Sequence, residues 1–123
     1  MLHGIDTTFL VQVEATRHPH HRKSRALLDR LLNQGDQFAL APQVLAEFIH
    51  IITDERRFEH PLTMSLAVSR AQAWWQAREV VPVYPDAAAT SQFMAWIQQH
   101  RLGRKRLLDT QLAATYHAAG VVS

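Results

Sequence analysis

Three acidic residues stand where an alternating strand–helix chain would gather them. Asp6 follows the short apolar run Leu2 to Ile5 and precedes a helix-like segment. It therefore falls at the C-terminal end of a strand, where it is equally a helix N-cap or a ligand. Glu47 lies about one turn into the helix that begins at Pro42. At about 100° per residue it shares a polar stripe with Gln43, His50 and Asp54, ordinarily the wet face of an amphipathic helix. Asp109 is followed at i+3, i+4 and i+7 by Leu112, Ala113 and Tyr116. A carboxylate in line with an apolar stripe needs compensation, because a buried unpaired charge is costly. It can cap the first turn, pair with the basic residues just before it, or face a metal. Three such carboxylates converging at one sheet edge form a hard-oxygen set suited to Mg²⁺ or Mn²⁺. That chemistry polarises a phosphate and activates a water, as in a metal-dependent nuclease or phosphatase.

A phosphate-bearing substrate needs cationic partners. The 13 basic residues barely outnumber the 11 acidic ones, but they are unevenly placed. Arg17, Arg22, Lys23 and Arg25 form one group; Arg101, Arg104, Lys105 and Arg106 form another. Nearly all the basic residues are arginine, the better bidentate phosphate partner. Each group reads either as a solvated helix end or as a phosphate-facing patch.

Other chemistries are excluded or weak. With no cysteine, disulfide scaffolds, thiolate zinc sites and cysteine nucleophiles are impossible. Four glycines, none in a phosphate-loop pattern, leave no material for a Walker or dinucleotide fingerprint. His18, His20 and His21 cluster around Pro19 and read as the start of a surface helix. Glu47 and His50 have Glu-x-x-His spacing, but a di-iron bundle needs that motif twice. Trp74, Trp75 and Trp96 sit at helical spacings and read as core or dimer contacts. No apolar run approaches the ~18 residues of a membrane span, and the N-terminus lacks a signal-peptide pattern. The expected location is the cytoplasm.

The elements that must position these groups alternate along a chain of 123 residues, enough for one domain. Strands are expected at Leu2–Ile5, Phe38–Ala41 and Val80–Tyr84, with Pro82 placing the last on a sheet edge. Helices are expected over Thr7–Val13, His20–Asn33 (ended by Gly35), Pro42–Thr53, Thr63–Arg78, Asp86–His100 and Leu107–Ala119. Val121-Val122 would begin a fourth strand. Strands separated by helices imply an α/β fold, a mostly parallel sheet covered on both faces.

Read together, three segments resemble the motifs of PIN-domain ribonucleases. Gly4-Ile5-Asp6-Thr7-Thr8-Phe9-Leu10 resembles their opening. Ala41-Pro42-Gln43-Val44-Leu45-Ala46-Glu47-Phe48 resembles the second motif, and Leu107-Leu108-Asp109-Thr110-Gln111-Leu112-Ala113-Ala114-Thr115 with Ala118-Ala119-Gly120-Val121 the third. Their order and spacing span nearly the whole chain, and the size suits VapC-like toxins of toxin–antitoxin pairs.

The resemblance implies a three-layer α/β/α domain over residues 1–123 with parallel strand order 3-2-1-4-5. It implies Mg²⁺- or Mn²⁺-dependent endoribonuclease activity, with Asp6, Glu47 and Asp109 as catalytic metal ligands and Thr8 as a supporting polar group. A metal-activated water would attack the RNA phosphate in line. Arg101, Arg104, Lys105 and Arg106 would contact the RNA. An antitoxin protein and a second copy of the chain are the implied partners. Family members usually continue into a further strand carrying a fourth acidic or polar residue, and Ser123 precedes any such motif, so the last strand reads as truncated. Two other functions fit the same residues: a non-catalytic module binding RNA or protein, and a phosphoesterase acting on a small phosphorylated substrate.

Overall fold

The computed structural model describes residues 1–122; Ser123, with its place at the end of the expected fourth strand, lies outside them. In chain order the elements are β1 (Leu2–Gly4), α1 (Thr7–Glu14), α2 (His21–Asn33), β2 (Gln37–Leu40), α3 (Pro42–Ile52), α4 (Met64–Gln76), β3 (Val80–Pro82), α5 (Ala87–Gln99), one 3₁₀ turn (Arg104–Arg106) and α6 (Leu107–Ala118). Their boundaries follow local chemistry. Asp6, Thr63 and Asp86 cap α1, α4 and α5 by accepting from the backbone N–H groups of Phe9, Leu66 and Ala89. Pro42 occupies the first turn of α3, where its missing N–H costs nothing. Gly35 has φ +80 and closes α2: Gly35 N–H bonds Leu32 O at 3.0 Å and Asp36 N–H bonds Leu31 O at 3.1 Å. That backbone conformation strains any residue with a Cβ.

The three strands are parallel in the order β1-β2-β3, with His3 opposite Phe38 and Phe38 opposite Val80. Pro82 thus lies on an edge strand, as its missing donor requires. The Leu2 carbonyl points away from β2 and accepts the Val122 N–H at 3.1 Å. Val122 therefore lies beside the free edge of β1, where the fourth strand was expected to begin; no strand is formed there among the described residues. The described strands match the 3-2-1 part of the implied order.

Alternation along β2 sorts the core into two layers. Phe38 and Leu40 face α1, α3 and the inner sides of α2 and α4, in a cluster containing Leu10, Val13, Val44, Phe48, Ile52 and Ala71. Ala39 and Ala41 face the other way, against Tyr116 and Leu112 of α6. Helices therefore cover both faces, giving the three-layer α/β/α architecture. Phe48, Leu10 and Leu40 are fully buried. Each contributes on the order of 1.5–3 kcal/mol relative to an exposed side chain.

One polar tie fixes the start of the sheet. Asp36 accepts from His3 Nε2 at 2.9 Å and from the N-terminal ammonium at 3.3 Å. The His3 hydrogen bond is the main cause that holds the Asp36 carboxyl below its ordinary range. A depressed carboxyl pKa stabilises the fold above its unfolded value and loses that contribution as pH falls through the folded one. The stability of the protein should therefore decline as pH drops below about 4, and Asp36→Asn should flatten that decline. Urea unfolding across pH 2–6 checks it; parallel acid limbs for the two proteins would contradict it.

Candidate active site

Asp6, Glu47 and Asp109 line one cleft of about 710 Å³, together with Thr8, Gln43, Trp96 and His117. The cleft lies beyond the C-terminal ends of β1 and β2, the edge at which parallel α/β sheets place ligands. Each carboxylate reaches it by a different route. Asp6 ends the turn after β1, and its Oδ1 accepts the Phe9 N–H at 2.8 Å, so it caps α1 while lining the cleft. Glu47 projects from the second turn of α3, is half-buried and lines the cleft with Gln43, whereas His50, on the same polar stripe, is exposed and outside it. Asp109 sits in the first turn of α6.

Asp109 differs from its sequence reading in one respect. It is exposed, as is Ala113, and its face turns into the cleft; the buried face of α6 carries Thr110, Ala114, Thr115 and Tyr116. The 3₁₀ turn delivers α6, and Gln43 Nε2 reaches across to the Leu108 carbonyl at 3.5 Å. First-turn residues of α1, α3 and α6 (Thr7, Gln43 and Leu108) all line the cleft. Their N-terminal dipoles favour an anion and offset part of the repulsion among the three carboxylates.

The carboxylates share the cleft without closing on a point. Among the described residues, no three His, Asp or Glu side chains are close enough together to hold one ion. The donor chemistry nevertheless suits a hard cation. Mg²⁺ keeps several waters and needs only one or two direct carboxylates, so a spread set of oxygens fits it better than a softer metal. Thr8 lines the same cleft.

The basic residues separate. Arg101, Arg104, Lys105 and Arg106 are exposed and pair with no carboxylate among the described residues. Arg106 lines a smaller pocket of about 230 Å³ that shares Asp109 and Trp96 with the carboxylate cleft. The first group lies elsewhere: Arg25 pairs with Asp29 at 3.6 Å, and Arg17 lines a separate cavity between α1 and the α3–α4 connection.

Tyr116 is the residue that sequence reading passed over. Its hydroxyl donates to the Ile5 carbonyl at 2.5 Å and accepts the Ala41 N–H at 3.3 Å. It thereby ties the ends of β1 and β2 to α6, the helix carrying Asp109. Its ring rests on Gly4, where a Cβ would stand 2.5 Å from Tyr116 Cδ2. The signal was the small residues Gly4, Ala39 and Ala41 on one sheet face, which leave room for a large side chain.

Burial pushes the Tyr116 phenol up to about 12, and the nearby Asp6 carboxylate acts in the same direction. An unfolded tyrosine ionises near pH 10. In the interval the native state binds more protons, so stability should fall as pH rises from about 10 to 12. Tyr116→Phe should be less stable at pH 8 but lack this alkaline decline. Unfolding midpoints measured at both ends of the interval check the point; an identical decline in the variant would refute it.

The PIN domain family model matches residues 5–122. The chain belongs to the PIN-domain family. Ribonuclease VapC31 of Mycobacterium tuberculosis is 31% identical over 81 residues, covering 66% of this chain and 57% of that protein. VapC ribonuclease Mb2897 of Mycobacterium bovis is 31% identical over 83 residues, covering 68% of this chain and 52% of that protein. The matches thus span little more than half the length of these relatives. The crystal structure of Mycobacterium tuberculosis VapC20, a Sarcin-Ricin loop cleaving toxin, superimposes with a TM-score of 0.70 at 20% identity, covering 98% of this chain and 85% of that one. At that identity the likeness is one of fold.

Proposed function

We propose that the protein is an endoribonuclease that uses Mg²⁺ or Mn²⁺, and that it is the toxin of a type II toxin–antitoxin pair. One observation carries the reading: carboxylates 6, 47 and 109, distant in sequence, line a single cleft at the ligand edge of the sheet. The names of the VapC ribonucleases that it resembles support RNA as the substrate.

Asp6, Glu47 and Asp109 are the groups that would hold the cation. When bound, it supplies Lewis acidity toward a phosphoryl oxygen and a nucleophilic water at neutral pH. The chain's own groups do the rest. The first turns of α1, α3 and α6 favour the phosphate anion, and Arg101, Arg104, Lys105 and Arg106 neutralise the flanking phosphates. Thr8 orients a carboxylate or a water by hydrogen bonding, and Tyr116 fixes the separation of the sheet ends from α6. An antitoxin, homodimerisation and a cytoplasmic location belong to the same reading. No helix among the described residues is long and apolar enough to cross a membrane.

Cleavage of mixed single-stranded RNA should appear in Mg²⁺ or Mn²⁺ and vanish in chelator. Turnover of a generic phosphomonoester with intact RNA would favour a small-molecule phosphoesterase instead. The spread of the three carboxylates favours a second reading, a non-catalytic PIN module that binds RNA or protein. That reading expects salt-sensitive binding and no cleavage in any divalent metal.

A further inference from the structure

The three tryptophans have different surroundings. Trp74 and Trp75 pack on the main core, and Trp74 Nε1 donates to Glu14 at 2.8 Å. Trp96 belongs to neither core cluster, and its indole N–H has no partner among the described residues. It is half-buried on α5, in edge contact with His117 of α6 at a centroid separation of 5.4 Å. A large aromatic outside the core needs a reason, and its position supplies one. Trp96 lines the carboxylate cleft and also the neighbouring pocket with His100 and Arg106. It stands where the two spaces meet: Asp6 and Glu47 line only the cleft, Arg106 only the smaller pocket, and Asp109 both.

From this juxtaposition we infer that Trp96 is a base-stacking platform for an unpaired nucleotide next to the scissile phosphate, with Arg106 holding the phosphate that follows. The inference rests on the ribonuclease reading for its substrate and extends it to a subsite that favours single-stranded RNA. A π-face accepts any base, so the platform sets strandedness more than sequence. Arg106 adds a charge contact whose loss weakens binding uniformly and lowers its salt dependence. Trp96 lies outside both core clusters, so it is not the core contact its helical spacing suggested.

The test is binding without cleavage. A short single-stranded oligoribonucleotide of mixed sequence is titrated into the protein in chelator, and affinity is followed by anisotropy of a dye on the RNA. Tryptophan emission is recorded in parallel. Trp96→Leu keeps bulk without a π-face and should weaken binding about tenfold, whereas Trp96→Phe should recover most of the loss. RNA should quench the emission of the wild type, and that quench should disappear in Trp96→Phe. Arg106→Gln should reduce the slope of log affinity against log salt by roughly one. Wild-type affinity in Trp96→Leu, an RNA-independent emission, or equal affinity for a duplex would overturn the proposal. The two readings fail separately. Trp96-dependent binding without cleavage in metal would sink the nuclease and keep the platform; cleavage with Trp96-independent binding would do the reverse.

Discussion

Asp6→Asn should lower metal-dependent RNA cleavage roughly a thousandfold while leaving the fold intact. The magnitude follows from the charge stabilisation lost with a ligand, several kcal/mol, at about 1.4 kcal/mol per tenfold in rate. The fold survives because Asn is as good an N-cap as Asp, so its side-chain oxygen can still accept the Phe9 N–H at the start of α1. Asp6→Ala is the poorer probe, since loss of the cap alone costs about 1 kcal/mol. Glu47→Gln and Asp109→Asn should act in the same direction. Pairs of these substitutions should fall little below the single ones, because ligands of one site act as a unit. Cleavage rates under saturating Mn²⁺, with circular dichroism to monitor folding, decide the matter. A variant at Asp6 as active as wild type would remove that residue from the site.

Gly4→Ala should destabilise the protein by about 1–3 kcal/mol, the usual cost of forcing extra volume into a packed interior. The added methyl would lie 2.5 Å from Cδ2 and 2.9 Å from Cε2 of Tyr116. The ring cannot simply withdraw. Its hydroxyl is fixed between Ile5 O and Ala41 N, and displacing it would strand both buried backbone groups. Tyr116→Ala should be destabilising for that reason, yet adding Gly4→Ala to it should cost little more, because the clash is gone. A double-mutant cycle from urea unfolding measures this coupling. Additive losses would show that Gly4 and Tyr116 act independently.

How far the site was legible depends on how local its determinants are. The Asp6 cap, the Pro42 start and the Gly35 stop are one-turn effects, and each lies where its chemistry puts it. Pro82 told of an edge strand because a missing N–H is felt wherever the strand sits. Longer-range features were less readable. Asp109 looked buried because Leu112 and Tyr116 share its helical face, but that whole stripe borders the cleft, and only Leu112 and Tyr116 also reach the sheet. Where the fourth strand was expected to begin, the described residues place Val122 N–H on Leu2 O beside β1. Trp96 has the same helical spacing as a core residue, and only the packing of α5 on α6 places it at the cleft. Tyr116 joins residues 111 positions apart in sequence, which no local pattern encodes.

Cation binding at the cleft is the most direct test of the account. Mn²⁺ titrated into the protein can be followed by the loss of the free-ion paramagnetic resonance signal, without RNA. The account predicts saturable binding by the wild type, competition by Mg²⁺, and loss of binding in the Asp6→Asn/Asp109→Asn double variant with its fold preserved. Undiminished binding in that variant, or no binding by the wild type at millimolar Mn²⁺, would contradict it.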